Sequence, residues 1–580
     1  MVGKTEKAAP PVAEPGSALA TQDHRGGVRI QTEALGKVTK SGVALLQGIS
    51  LTIQPGELVG VVGGSGAGKT TLLEALAGVS PANSGRVLFD DVDLYANRDL
   101  FRTILGYVPQ DDIIHMDLPL SRTLRYAARL RLPPDSPEGT VGAAVDEALA
   151  TLDLVERAQT RVAALSGGQR KRASIAVEML TQPKVFFLDE PTSGLDPATS
   201  AELLKTLRSL ADQGATVVFT THSVQDLTGC DRVIFLAQGG RLAFVGSADE
   251  ARTHFAVASV EQIYERLGAD WADHHETGLP PQASMARLRK PGAPVVGARG
   301  RSLPGAFRQL AVLTARSLET MTRNKLTLAI LLGSPAMVVA MFVVLFRRGA
   351  FAFDDPSPTS ILMILFWVTF GSFFFGLTYG LLQIVTERAI VRREYLVGLR
   401  LTSYLFSKVA LLLPFLLVVN VVMLAVLRAL DRLPSDSLST YASVAVTLTL
   451  DALAALATGL LASAAVSTPS QATLALPMLC FPAVLFSGAI LPVNVMASLG
   501  KWISAVIPVR WAFEGVGHDL GVRHLLNHGG SDLGPPLVET YGSSGMEPTG
   551  VYWLYLAVFT IVLLGAARWI LLRSVRRGGR

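Results

Sequence analysis

Cysteine is almost absent. Cys230 and Cys480 are the only two in 580 residues, too few for a disulfide-stapled framework or a cysteine-built metal centre, and each is expected to be an inert buried thiol. A strong charge of one sign is lacking too. The chain has 52 Lys and Arg against 47 Asp and Glu, and a formal +5 gives no argument for a nucleic-acid partner. Residues 1–27 contain no apolar stretch of the kind that forms a secretory signal. They are rich in Ala, Pro and Gly with scattered charge, and the expectation is a disordered tail. Charge itself becomes scarce in the second half, where long apolar runs take over. The chain is too long for one ordinary domain, and its halves differ too much in composition to share one.

From about residue 28 to 250, short apolar strands alternate with helical patterns, which predicts an α/β domain with a largely parallel sheet. An apolar strand at 58–62 runs into Gly63, Gly64, Ser65, Gly66, Ala67, Gly68, Lys69, Thr70 and Thr71, and a helix follows at 72–77. Strand, glycine loop and helix in that order make a phosphate cradle. The glycines let backbone N–H groups wrap a phosphate, Lys69 reaches the outer phosphate oxygens, and the Thr70 hydroxyl coordinates Mg2+. Downstream, residues 165–196 read LSGGQRKRASIAVEMLTQPKVFFLDEPTSGLD. The turn Ser166, Gly167, Gly168, Gln169 lets backbone N–H groups and a helix N-terminus face an anion closely. The strand at 185–188 then ends in Asp189 and Glu190, one carboxylate to hold Mg2+ and a second to orient or deprotonate an attacking water.

Together these segments resemble the ATP-binding cassette proteins: a Walker A loop at 63–71, a signature motif at 165–169, a Walker B strand ending at Asp189, and a D-loop at 193–196 that includes Asp196. The resemblance implies a P-loop ATPase that uses ATP and Mg2+. It identifies Gln110, in the run YVPQDD, as the Q-loop glutamine that touches Mg2+ or the attacking water where the ATPase meets a membrane domain. It identifies His222, after a strand at 216–220, as the switch histidine that contacts the γ-phosphate and helps to hold Glu190. In this family the signature turn points away from its own Walker A loop, so each ATP site closes between two ATPase domains, with Ser166 to Gln169 and Asp196 facing the partner's nucleotide. One set per chain implies a second chain, most simply an identical one. The sequence departs from the family at one place: no Phe, Tyr or Trp precedes Phe89, so Val38 or a neighbour stands where an adenine-stacking aromatic is usual.

Residues 278–305, rich in Pro, Gly and Arg, read as linker, and 307–324 has the pattern of an amphipathic helix at the membrane surface. Six apolar stretches long enough to span follow, at about 326–346, 361–384, 407–427, 441–463, 473–491 and 551–572. Arg388, Arg392, Arg393, Arg400 and Lys408 lie between the second and third, and Arg573, Arg576, Arg577 and Arg580 follow the last. The positive-inside rule puts both groups in the cytosol; Arg347 and Arg348 are a local exception on the outer side. The second span carries Phe366, Trp367, Phe370, Phe373, Phe374 and Phe375, either packed within the bundle or lining an apolar cavity. Asp451 sits well inside the fourth span, where an ionised carboxylate is costly.

An ATPase ahead of a membrane domain in one half-size chain is the order of the subfamily G (White-type) half-transporters, and the chain resembles a bacterial relative of these. The expected fold is therefore an α/β P-loop ATPase followed by an all-α domain of six transmembrane helices. The expected division is 1–27 tail, 28–255 nucleotide-binding domain, 256–305 linker, 306–325 connecting helix, 326–573 transmembrane domain and 574–580 basic cytosolic tail. The resemblance implies ATP-driven export of an amphipathic or lipid-like cargo across the cytoplasmic membrane, with both termini cytosolic and the lipid bilayer as surroundings. It also implies that residues 387–400 form a coupling helix riding on the ATPase near Gln110. A membrane-bound regulatory ATPase and one half of an obligate heterodimer are the alternatives.

Overall fold

The computed structural model describes residues 26–267, 303–542 and 544–577. Most of the expected tail and the linker residues 268–302 lie outside these. Among the described residues ten strands form two sheets: β1 (Ile30–Val38), β2 (Ala44–Ile53), β3 (Leu58–Gly63), β4 (Ser84–Phe89), β5 (Val92–Asp93), β6 (Leu105–Val108), β7 (Val185–Leu188), β8 (Thr216–Thr220), β9 (Arg232–Ala237) and β10 (Arg241–Gly246). The larger sheet runs β10-β9-β3-β8-β7-β6, parallel except for β10, and the smaller antiparallel sheet runs β2-β1-β4-β5. Strands β3, β7 and β8 are buried at every residue, as expected of parallel strands covered on both faces. Val61 pairs with Thr220, and Leu188 with Phe219, so the carboxyl ends of these three strands lie side by side. Ligands of open α/β sheets gather at that edge.

Four helices of this half matter for the site: α1 (Lys69–Leu76), α2 (Leu120–Arg131), α3 (Gly167–Met179) and α4 (Pro197–Asp212). The second half is helical: α5 (Ala306–Arg323), α6 (Lys325–Leu345), α7 (Pro358–Leu381), α8 (Arg388–Leu396), α9 (Leu401–Ala429), α10 (Leu438–Ala465), α11 (Pro469–Leu485), α12 (Pro508–Asp519) and α13 (Thr549–Arg577). Apolar helices occupy all six expected span positions. Among the described residues, four are long and apolar enough to cross a membrane on length and composition: α7, α9, α10 and α13. The expected fifth span, 473–491, is shorter than its apolar run. Helix α11 has 17 residues and stops at Leu485, short of Gly488, which takes the left-handed φ of 81°. At 1.5 Å per residue α11 rises about 26 Å, under a hydrocarbon thickness of about 30 Å.

The tightest helix pair is α7 with α10, and small residues make it so. A Cβ on Gly376 would stand 2.1 Å from the Ala452 carbonyl oxygen, and one on Gly459 would stand 2.5 Å from that of Leu377. The aromatics of α7 mostly pack within the bundle. Phe366, Phe373 and Phe375 are buried, and a chain of ring contacts runs from Phe366 through Phe370 and Phe374 to Tyr379 and Phe415. Asp451 is fully buried in α10, and neither carboxyl oxygen has a hydrogen-bond partner. Both cysteines are free, and burial pushes the Cys230 thiol up to about 12.

Candidate functional site

The loop after β3 turns twice through left-handed backbone, at Gly66 (φ 77°) and Gly68 (φ 93°), before α1 begins at Lys69. Gly68 has a second reason to be glycine, because a Cβ there would lie 2.7 Å from the Leu45 carbonyl oxygen. Ala67 is buried under the loop, while Ser65 and Gly66 are exposed. The Lys69 ammonium folds back and donates to the carbonyls of Gly63 (2.9 Å) and Gly64 (3.1 Å). Burial lowers its pKa, opposed by the carboxylates of Glu190 and Asp189.

Asp189 and Glu190 leave β7 into different surroundings. Asp189 is 3% exposed, and its Oδ1 accepts from the hydroxyls of Thr70 (3.0 Å) and Thr220 (2.6 Å). Burial raises its pKa, and those two hydroxyls hold it down. Glu190 turns off the strand with φ 44°, its backbone N–H donating to Thr220 Oγ1 at 2.8 Å. Its Oε2 accepts from Gln110 Nε2 at 3.1 Å and lies 3.7 Å from Nδ1 of the exposed His222. The structure thus gathers Lys69, Thr70, Gln110, Asp189, Glu190 and His222 at one sheet edge. A hydroxyl and a carboxylate in contact form a hard-oxygen donor pair. Among the described residues no group of three or more His, Cys, Asp or Glu could hold a metal. The oxygens of Thr70 and Asp189 fit Mg2+, which takes one or two protein oxygens and completes its shell with water and phosphate.

The signature turn is placed elsewhere. Ser166 caps α3 in a reciprocal capping box with Gln169: Ser166 Oγ accepts from Gln169 N at 3.2 Å, and Gln169 Oε1 accepts from Ser166 N at 3.1 Å. Asp196 caps α4, taking Thr199 N at 3.0 Å and the Thr199 hydroxyl at 2.7 Å. Gln169 and Asp196 therefore hold up their own helices, and Ser166 and Gly167 stay exposed. Among the described residues no hydrogen bond joins the signature turn to Lys69 or Glu190. The turn is linked to the site through Lys171, a buried residue that the motifs do not reveal. Its ammonium donates to the carbonyls of Pro109 (3.2 Å) and Gln110 (2.7 Å). Thr220, shared by Asp189 and Glu190, was equally invisible as one threonine in a strand.

The site continues into the membrane half. Arg393 of α8 donates to Glu178 at the end of α3 (2.7 Å), to the Ser174 carbonyl (2.7 Å) and to the Ile113 carbonyl (2.7 Å). Glu178 also takes Arg131 of α2 through both oxygens, at 2.8 and 3.0 Å. Two buried guanidinium groups hold its carboxylate down at about 2 against the burial that would raise it. Helix α5, expected as an amphipathic connecting helix at the membrane surface, also bonds to both halves. Arg316 pairs with Glu394 of α8, and Glu319 accepts from Arg122 (2.6 Å) and Tyr126 (2.7 Å) of α2.

Comparisons with known proteins agree with this arrangement. The chain matches the family model described as ABC transporter over residues 46–193 and the model described as ABC-2 type transporter over residues 308–518. It is 32% identical over 548 residues to the ABC transporter ATP-binding/permease protein Rv1747 of Mycobacterium tuberculosis, covering 90% of this chain and 61% of that protein. It is 28% identical over 537 residues to ABC transporter G family member 7 of Arabidopsis thaliana, covering 83% and 71%. The chain thus spans about three fifths of the length of the mycobacterial relative. Among solved structures, cbiO1 from Clostridium perfringens, part of the ABC transporter complex cbiONQ, aligns with 43% of this chain and 98% of its own at 29% identity, with a TM-score of 0.37.

Proposed function

We propose, for a chain that belongs to the ABC transporters and carries its ATP-binding domain ahead of an ABC-2 type membrane domain as subfamily G half-transporters do, ATP-driven export of an amphipathic or lipid-like molecule. The working unit is a two-fold pair of identical chains in the cytoplasmic membrane, with both termini cytosolic. One observation carries the reading. Gln110 bonds Glu190 at 3.1 Å, and three residues on, the Ile113 carbonyl takes Arg393 of the membrane half at 2.7 Å. A change at the carboxylate therefore has a short path to the membrane half, two hydrogen bonds joined by the backbone from residue 110 to 113.

In this reading the loop from Gly63 to Gly68 offers N–H groups to the β-phosphate, Lys69 meets the β- and γ-phosphate oxygens, and Thr71 follows on the first turn of α1. Thr70, Asp189 and Gln110 would hold Mg2+, which would supply positive charge to offset that of the phosphates. Glu190 takes a proton from the attacking water, and His222 steadies both Glu190 and the γ-phosphate. The exposed Ser166, Gly167 and Asp196, with the half-buried Gly168 and Gln169, close on the nucleotide held by a second chain. The pattern of basic residues supports the orientation: Arg388, Arg392, Arg393 and Arg400 lie on the ATPase side.

Purification of the chain alone, in detergent or nanodiscs, tests this. The expected particle contains two copies and hydrolyses ATP, and Glu190→Gln keeps nucleotide binding while turnover falls by about 100-fold or more, as for loss of a general base. Normal turnover in that variant would overturn the assignment of Glu190. Activity that appears only with a different chain would overturn the identical pair.

A further inference from the structure

Between α12 and α13 the chain forms a short helix, Val522–His528, entered through the left-handed turn at Gly521 (φ 59°). In the proposed orientation this segment lies at the outer end of the membrane half. One face of the helix is apolar. Val522 and Leu526 are buried and, with Leu362, Leu365, Phe513 and Val538, line a cavity of about 60 Å3. The opposite face carries two exposed histidines, His524 and His528. Four residues apart on a helix, they stand one above the other. Their rings stack at 25° with centroids 4.7 Å apart.

Hydrogen bonding decides what each ring offers. His528 Nδ1 lies 3.2 Å from the His524 carbonyl oxygen. A carbonyl can only accept, so Nδ1 carries the hydrogen, and in the neutral ring Nε2 keeps its lone pair. The same backbone tether orients the imidazoles of metal sites. Among the described residues neither ring nitrogen of His524 is engaged in a hydrogen bond, and its neighbour Phe353, with ring centroids 6.4 Å apart, competes for neither. At this separation a turn of either exposed ring aims both lone pairs at one point, about 2.0–2.1 Å from each nitrogen. Two neutral nitrogens suit a divalent transition metal rather than Mg2+ or Ca2+, which prefer oxygen. Among the described residues no third His, Cys, Asp or Glu joins them, so water completes the shell and the ion exchanges with solvent.

We propose that His524 and His528 chelate a divalent transition-metal ion such as Zn2+ and that the ion staples the helix Val522–His528 over its cavity. A helix this short does not hold on its own, so an ion that joins its two turns tightens it. The site does not depend on the proposed export, because the ion reaches the exposed pair from solvent whatever the cargo.

Hydrogen exchange tests it on the full-length protein, purified without a histidine tag and stripped of metal, with and without added Zn2+. Exchange over residues 522–528 is expected to slow when Zn2+ is added. His524→Gln and His528→Gln are each expected to abolish that slowing and to weaken Zn2+ binding there by about tenfold or more. Both positions are exposed, so the substitutions leave the buried Val522 and Leu526 in place. His518→Gln removes another exposed histidine, six residues before His524, and is expected to keep the slowing. Mg2+ at the same concentrations is expected to have no effect. Unchanged exchange at millimolar Zn2+, or slowing that survives either substitution of the pair, would overturn the chelate. Loss of the slowing in His518→Gln would overturn it too, and so would an equal effect of Mg2+, which would mean recognition by charge alone.

Discussion

At the scale of single residues, the chemistry of phosphate restricts which side chains can serve, and the residues proposed for that work, which the structure brings to one sheet edge, were named from the sequence. A loop that must present N–H groups needs Gly66 and Gly68 in left-handed backbone, and a metal-bound phosphate needs a hydroxyl and carboxylates such as Thr70, Asp189 and Glu190. Supporting residues were not legible, because nothing fixes their place in advance: the Lys171 ammonium donates to the backbone carbonyls of Pro109 and Gln110, which every residue type carries, and Thr220 is one hydroxyl in a strand. The surroundings of His115 were not legible either. Its Nε2 is buried without a partner at the junction of the two halves. Burial and the nearby Arg316 and Lys408 push its pKa down to about 4, against the pull of Glu387 and Glu394. A histidine with a lowered native pKa is neutral in the folded protein and binds its proton more readily when unfolded. Its contribution is therefore whole above its ordinary value of 6.5 and is lost as pH falls from there toward about 4, by up to about 1.4 kcal/mol per pH unit. Glu178, held at about 2, loses its contribution only below the ordinary carboxylate value of 4.5. Between pH 6.5 and 5 the melting temperature is thus expected to fall in the native protein and to fall less in His115→Gln. Equal slopes for both would remove His115 from the account.

At the scale of elements, strands and long apolar helices were readable from periodicity, while element ends and interfaces were not. The parallel strands β3 and β7 are uninterrupted apolar runs, and β8 is apolar between Thr216 and Thr220. Helix α11 stopped earlier than its apolar run, because hydropathy does not see the backbone turn that Gly488 makes. The amphipathic pattern of α5 suggested a membrane surface. Its charged face in fact meets α2 and α8 through Glu319 and Arg316, a destination that no one-dimensional pattern encodes. The junction itself centres on Glu178, with Arg131 and Arg393 both buried against it. Removing one member of a buried ionic cluster strands the others, at a cost of about 3–5 kcal/mol. Arg393→Ala is expected to reduce hydrogen-exchange protection over residues 110–115 and 172–178 on the ATPase side. Adding Glu178→Ala should then cost much less than Glu178→Ala alone, with a coupling above about 1 kcal/mol. Additive effects on stability would show that Arg393 and Glu178 do not act as a unit.

At the scale of the molecule, the chain holds one phosphate loop, one exposed signature turn and one bundle of apolar helices. The loop and the turn lie apart within the chain, so in the proposed function a complete site calls for a second ATPase domain. The link from Glu190 through Gln110 and Ile113 to Arg393 gives nucleotide turnover a route to the membrane helices. The central claim is that turnover at Glu190 drives export. It is tested most directly by comparing lipids and small molecules inside cells and in their outer envelope and medium, in cells making the native chain and cells making Glu190→Gln at equal levels. The account predicts at least one amphipathic compound that is depleted outside and accumulates inside only with Glu190→Gln. Identical profiles, with ATP hydrolysis by the native chain confirmed in the same membranes, would contradict export and leave an ATPase whose work is done without moving a cargo.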